Sequence, residues 1–236
     1  TFFWWLWAPI GWTLGFFWMT IVVLVGLPAT IFLPYRTWYP WIRPFMARAF
    51  TWSTTVTPTL IYDPDFDPDR RAIFIANHVT ALDGMVGCCV LPHAFCGLEN
   101  EAHFRIPIYG WILMLSQGVR VPKAREGRYE AILEQVALRK ERGISILAFP
   151  EGHRTVTGQV RPFRTGSFRM AQAIGSPIIP VASRGLYEVM PKGTGILRHS
   201  PVTIRVGPTF ETKGLSEEEL VVLTQDVHDW IQKNSM

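Results

Sequence analysis

At 236 residues with a net charge of +4, the chain has the length for one ordinary domain with a full core plus an appendage, and a second enzyme domain does not fit. Its 23 lysines and arginines accompany no recognisable nucleic-acid reader motif, so no nucleic-acid partner is expected. The three cysteines, Cys88, Cys89 and Cys96, include an adjacent pair unsuited to an ordinary disulfide and lack the spacing of a zinc ribbon, so core packing in a reducing compartment is expected.

The first element in chain order is apolar. Thr1 to Tyr35 contains no charged residue, and eight of the ten tryptophans occur by residue 52, a bias foreign to a soluble domain. Ile10 to Leu33 would reach about 36 Å as a helix, against a hydrocarbon layer of ~30 Å. Pro9, Gly11, Gly15, Gly26 and Pro28 interrupt the stretch, while Trp4, Trp5, Trp7, Trp12 and Trp18 favour the headgroup level. One spanning helix and a shallow helical hairpin are both compatible with that pattern. Residues 1–58 are expected to form a membrane-embedded helical anchor and residues 59–236 an α/β domain. Arg36, Arg43 and Arg48 follow the apolar stretch rather than precede it. That order predicts a membrane location with the catalytic part on the cytoplasmic side, and no cleavable signal peptide.

Tyr62 to Arg70, rich in aspartate and proline, reads as a turn-rich junction. Beyond it, strand-like runs near 71–76, 118–121, 144–149, 177–182 and 202–206 alternate with helical patterns near 84–92, 107–116, 127–142 and 165–174. The alternation predicts an α/β fold with a mostly parallel sheet flanked by helices. Ser216 and Glu219 make a capping box, and Leu220, Leu223, Val227, Trp230 and Ile231 give the final helix one apolar face.

Two polar blocks follow two of these strands. After the apolar run Ala72-Ile73-Phe74-Ile75-Ala76 comes Asn77-His78-Val79-Thr80-Ala81-Leu82-Asp83. On one continuous helix His78 and Asp83 would face roughly 140° apart, but a strand-to-helix turn brings them together. Asp83 then accepts a hydrogen bond from one imidazole nitrogen and leaves the other to take a proton from a hydroxyl. No Gly-x-Ser-x-Gly elbow occurs, and no serine or cysteine is placed as a third member. The expected nucleophile is the substrate's own hydroxyl. The second block, Phe149-Pro150-Glu151-Gly152-His153-Arg154-Thr155, follows the strand-like run Ile144 to Phe149 and falls on the same edge of a parallel sheet.

Together the two blocks resemble the glycerolipid acyltransferases typified by 1-acylglycerol-3-phosphate acyltransferase, which carry a His-x4-Asp block and a Phe-Pro-Glu-Gly-Thr-Arg-Ser block. The resemblance covers about residues 60–210, and Ile178-Ile179-Pro180-Val181-Ala182 looks like the family's last hydrophobic-proline block. It implies that His78 and Asp83 are the catalytic pair, and that Glu151, Gly152 and Arg154, with Thr155 in the serine position, bind the acceptor's glycerol-phosphate end. It also implies transfer of an acyl group from acyl-coenzyme A or an acyl-carrier protein to a lysophospholipid, most simply 1-acylglycerol 3-phosphate, with no metal or redox cofactor. The anchor is then expected to hold membrane lipids around an active site facing the bilayer.

The chain departs from that family in three places. His153 and Thr155 replace threonine and serine, and Pro122-Lys123 stands where an Asp-Arg pair is usual. Phosphate binding is carried onto Lys123, with Arg120 as a second cation. This altered block keeps another lyso-lipid, such as lyso-ornithine lipid, and glycerol 3-phosphate open as acceptors. Residues 105–169 hold twelve lysines and arginines against five glutamates, a balance that suits phosphates. Glu130, Glu134, Arg139 and Lys140 read as decoration of an exposed helix. His153 either binds acceptor or braces its loop, whereas His103, His199 and His228 have no partner block and read as structural or surface residues. Two rivals use the same residues differently: a metal-dependent phosphoesterase with His78, Asp83, Glu151 and His153 as ligands, and a non-enzymatic membrane scaffold.

Overall fold

The computed structural model describes residues 2–236. Seven strands form one sheet: β1 Thr59–Tyr62, β2 Ile73–Ala76, β3 Phe95–Asn100, β4 Val119–Val121, β5 Ser145–Ala148, β6 Ile178–Arg184 and β7 Thr203–Val206. Their order is β1-β7-β6-β2-β5-β3-β4, and every neighbouring pair is parallel except β6 with β7. The fold is therefore the α/β class that the alternation predicts. Every residue of β2 and β5 is buried, as apolar strands covered on both faces must be. From β5 the chain crosses β2 to reach β6, so the crevice beyond the carboxyl ends of these strands lies at the reversal of strand order, where such sheets bind ligands.

Strands β1 and β3 escape the sequence pattern for separate reasons. The first is a four-residue edge strand with three of its residues exposed. The second, Phe-Cys-Gly-Leu-Glu-Asn, runs from buried to exposed and is neither alternating nor uniformly apolar. The helices are α1 Phe2–Phe32, α2 Tyr35–Thr54, α3 Asp83–Val90, α4 Tyr109–Leu115, α5 Arg128–Glu141, α6 Gly166–Ile174, α7 Leu186–Val189 and α8 Glu217–Ser235. Helix α8 opens on the expected capping box: Glu219 N donates to Ser216 Oγ (3.2 Å) and Ser216 N to Glu219 Oε2 (2.7 Å).

The apolar stretch is one continuous helix that turns back into α2, and its glycines serve packing rather than interruption. A methyl group on Gly11 would collide with the Ser53 carbonyl, and one on Gly15 would lie 2.7 Å from Ser53 Oγ. Both glycines therefore let the two helices approach closely. The Trp7 indole N–H donates to the Ser53 carbonyl at 3.0 Å. On the outer side Phe3, Leu6, Ile10, Phe17, Leu24 and Ile31 are exposed. Among the described residues α1 is the one helix long and apolar enough, by length and composition, to cross a membrane. Helix α2 turns Trp38, Tyr39 and Phe50 into the same core as β2 and β5. Its Arg43 donates to the carbonyls of Cys88 and Cys89 at 3.0 Å each, satisfying groups that the end of α3 leaves open. Cys88, Cys89 and Cys96 are free and buried, and burial pushes their thiols up to about 12.

Below the sheet, His93 is 6% exposed. Its Nδ1 donates to the Pro68 carbonyl (2.8 Å), and Nε2 pairs with Ser145 Oγ (2.8 Å), which in turn accepts from Ala72 N (3.2 Å). Burial lowers the imidazole to about 4, against roughly 6.5 when unfolded. Between those values the unfolded chain binds the extra proton, so stability falls as pH drops through the window, by roughly 3 kcal/mol over its full width. Denaturant unfolding in detergent from pH 7 to 4 is expected to show a steeper loss for the native chain than for His93→Gln. Equal slopes would contradict this account.

Candidate active site

The carboxyl edge of β2 passes into the turn 77–82, and α3 begins at Asp83. Asn77, 2% exposed, clamps that turn to β6: its Nδ2 donates to the Ser183 carbonyl (3.0 Å) and its Oδ1 accepts from Ser183 N (2.9 Å). With the strand end fixed and the helix start just beyond it, the His78 and Asp83 side chains converge. His78 Nδ1 donates to Asp83 Oδ2 at 2.6 Å. The same oxygen accepts from Val79 N (3.0 Å) and Thr80 N (3.2 Å). The His78 side chain is 24% exposed and that of Asp83 only 5%. One nitrogen is thus committed to the acid inside, and the ring reaches the surface.

Burial raises the affinity of Asp83 for a proton, while the His78 hydrogen bond and charge and the two amides work against it. Asp83 Oδ1 is buried and has no hydrogen-bond partner among the described residues. The ring of His78 lies on Phe149, with centroids 4.3 Å apart and planes 18° from parallel, so two faces of the imidazole's surroundings are fixed by neighbours.

The second block supports the first through its backbone. Glu151, 2% exposed, accepts from His78 N through Oε1 (2.7 Å) and from Arg161 N through Oε2 (3.1 Å). Thr155 N donates to the His78 carbonyl at 2.9 Å. Both backbone groups of His78 are therefore held by the loop after β5. Burial also pushes the Glu151 carboxyl up, opposed by those two amide bonds. Gly152 turns the loop with φ +77°, a conformation that favours glycine. Glu151 and Thr155, expected to bind substrate, are thus also bonded to the His78 backbone, and Thr155 is 1% exposed.

The expected cations are spread along the edge. Arg154 is half-buried, and its guanidinium makes no ion pair or hydrogen bond among the described residues. Its carbonyl accepts from Lys192 Nζ at 3.2 Å. Arg120 and Lys123 are exposed. They belong to β4 and the turn after it, three strands from β2, or roughly 14 Å across the sheet. The Arg120 guanidinium lies 4.7 Å from the centre of the Phe104 ring, and Lys123 N donates to Glu101 Oε1 (3.1 Å). His153 is exposed. Among the described residues no three His, Cys, Asp or Glu side chains converge to hold a metal ion, so the ligand cluster of the phosphoesterase rival is not assembled.

Sequence reasoning assigns no role to Asn77 or Phe149, although both lie inside the two blocks. A buried asparagine at a strand end and an aromatic residue directly before Pro-Glu-Gly are the signals that would have singled them out. It also reads His103 as unpartnered, whereas His103 Nδ1 donates to Glu99 Oε2 at 2.8 Å. The acid sits on β3, the strand that the pattern misses.

Comparison with known proteins bears on the family and the fold. Residues 58–184 match the family model described as Acyltransferase. The chain is 25% identical over 166 residues to a 1-acyl-sn-glycerol-3-phosphate acyltransferase of Limnanthes alba, covering 70% of this chain and 59% of that protein. Against the protein of that name from Borreliella burgdorferi it is 32% identical over 164 residues, covering 69% and 65%. The chain thus spans about 59% of the length of the Limnanthes relative. Its fold is similar to the crystal structure of the 1-acyl-sn-glycerophosphate (LPA) acyltransferase PlsC from Thermotoga maritima, with a TM-score of 0.73, 22% identity, and coverage of 96% and 95%.

The bracing role of Glu151 has a measurable consequence. Glu151→Gln keeps one carbonyl oxygen and turns an amide toward one of the two backbone donors, orphaning it at a cost of about 1–3 kcal/mol. A lower thermal midpoint is expected together with reduced activity. An unchanged midpoint would show that the carboxylate does not hold the loop.

Proposed function

The chain belongs to the acyltransferase family, and from that premise we propose that it moves a fatty acyl group from a thioester to the free hydroxyl of 1-acylglycerol 3-phosphate. The observation that carries the reading is the His78–Asp83 pair at the carboxyl edge, oriented and partly exposed, with no serine, threonine or cysteine side chain hydrogen-bonded to the ring among the described residues. Such a pair suits a general base acting on a substrate hydroxyl. With Nδ1 committed to Asp83, Nε2 takes the proton as the hydroxyl oxygen bonds to the thioester carbonyl carbon. The carbon–sulfur bond then breaks, and His78 returns the proton to the departing thiolate. The products are the ester and the free thiol, with no net change of charge on the protein.

Acyl-coenzyme A and acyl-carrier protein are the two donors of this chemistry, and neither a metal nor a redox cofactor is needed for it. The half-buried, unpaired guanidinium of Arg154 is the group best suited to the acceptor's phosphate. Lys123 and Arg120 extend the positive field along the same edge. The exposed apolar face of α1 suits a membrane-held enzyme that meets its lipid acceptor at the interface. The positive flank of Arg36 and Arg48 favours the cytoplasmic side.

His78→Ala is expected to reduce turnover about 10³-fold in a chain that stays folded at the assay temperature but melts lower, because Asp83 loses a donor, and near-native activity of that variant would overturn the mechanism. For Arg154→Ala the expected signature is about a tenfold rise in acceptor KM with little change in thioester KM. Equal effects on both substrates would remove Arg154 from the acceptor site. Activity that survives exhaustive chelation is expected as well; its loss, restored by a divalent ion, would contradict the metal-free reaction.

A further inference from the structure

A second carboxylate–imidazole pair stands on the same edge of the sheet. Glu99 lies near the end of β3, and its Oε2 accepts from His103 Nδ1 at 2.8 Å while its Oε1 accepts from the Tyr109 hydroxyl at 3.0 Å. The His103 and Tyr109 ring centres are 6.2 Å apart. Side chains of 46% exposure for His103 and 24% for Glu99 leave the pair open to solvent.

Sheet register fixes where this cluster points. Gly97 is paired with Leu147, so continuing two residues puts Glu99 level with Phe149, and alternation along strands places both on one face. Phe149 is the residue on which the catalytic imidazole lies. Adjacent strands are about 4.8 Å apart, so this register, extended past the end of β5, sets the Glu99 backbone roughly one strand spacing from that of Phe149. Burial and Glu99 push the Tyr109 phenol up, and Arg154 opposes them; the guanidinium proposed to take the phosphate is therefore within electrostatic reach of the cluster. On the other side Arg120 is paired with Glu99 in register. An acid bonded to His103 and Tyr109, with Arg120 beside it in register on β4, does not make the edge acidic. It orients an imidazole inside a cationic rim.

The geometry points to His103 as a further acceptor-binding residue, held at Nδ1 by Glu99 so that Nε2 meets the phosphomonoester that Arg154 also contacts. In the imidazolium form both ring nitrogens donate, one to each anion. Glu99 is then a positioning residue acting through His103. This assignment rests on the proposed phosphate-bearing acceptor and adds to it a contact that Arg154 alone does not provide.

The test uses the purified full chain in detergent with 1-acylglycerol 3-phosphate as acceptor and glycerol 3-phosphate as competing inhibitor. His103→Ala is expected to raise the acceptor KM and the inhibitor's Ki together, each about tenfold, with kcat and the thioester KM within twofold of native. Glu99→Gln, which keeps an acceptor for Tyr109 but loses the charge, is expected to move both constants in the same direction by about threefold. A fall in kcat, or a matching rise in thioester KM, with Ki unchanged would make the cluster a mere brace and overturn the inference. If the native chain itself fails to acylate the phosphate acceptor, the proposed function falls and this inference with it; a native chain that turns over while both variants keep its constants sinks the inference alone.

Discussion

Burying a carboxylate without a lysine or arginine beside it is the constraint around which this sheet edge is organised. Asp83 sits at the start of α3, 5% exposed, and no lysine or arginine side chain contacts it among the described residues. Two amides of the preceding turn and the imidazole stand in for the missing salt bridge. A carboxylate so placed keeps its charge only while those donors stay aimed at it. The turn 77–82 therefore has to be rigid, which explains why its first two residues are clamped by groups distant in sequence. Asn77 is tied to β6, and Glu151 and Thr155 tie the His78 backbone to the loop after β5. The second polar block serves the first as much as it serves any ligand.

The N-terminal helix pair enters the same chain of constraint. Helix α2 is not a tether beside the domain, since Trp38 and Phe50 are packed in the core with Phe74 and Leu147. Arg43 fastens α2 to the far end of α3, and Asp83 opens the near end of that helix. Because α1 lies along α2 through the close approach at Gly11 and Gly15, the apolar outer face and the His78 imidazole are joined through packed elements. An interface that fixes the tilt of α1 would thereby fix the direction in which His78 looks.

How much of this is legible in the sequence depends on whether a residue's role is local. The strand-turn-helix around His78 and Asp83 is local: an apolar run, a polar turn and a five-residue spacing contain it, and the pair follows. Strands β2, β5 and β6 are legible because parallel strands buried on both faces carry continuous apolar runs. Strand β3 is not, because its carboxyl half leaves the core and carries polar Glu99 and Asn100, which break the apolar run that would announce a strand. The glycines of α1 mislead for a related reason. Their use is contact with Ser53, a residue about forty positions away, and no window around them holds that information. Glu151 is recognisable as a site residue from its block, but that its two oxygens face backbone amides depends on the loop's path after the strand.

The two imidazoles on this edge differ in ways that sort their chemistry. His78 has a partner almost wholly out of water and a ring stacked on Phe149; His103 has a partner at 24% exposure and is itself nearly half open. A base that takes and returns a proton benefits from a fixed, dry acid, because solvent would compete for the nitrogen and screen the carboxylate that steadies the transient imidazolium. A group that binds and releases a hydrated phosphate benefits from the reverse, since deep burial would add the cost of stripping water from the anion at every turnover. One motif, an acid holding Nδ1 of a histidine, thus occurs twice on one sheet edge, and under the two proposed roles it is the depth of the acid that separates proton transfer from anion binding.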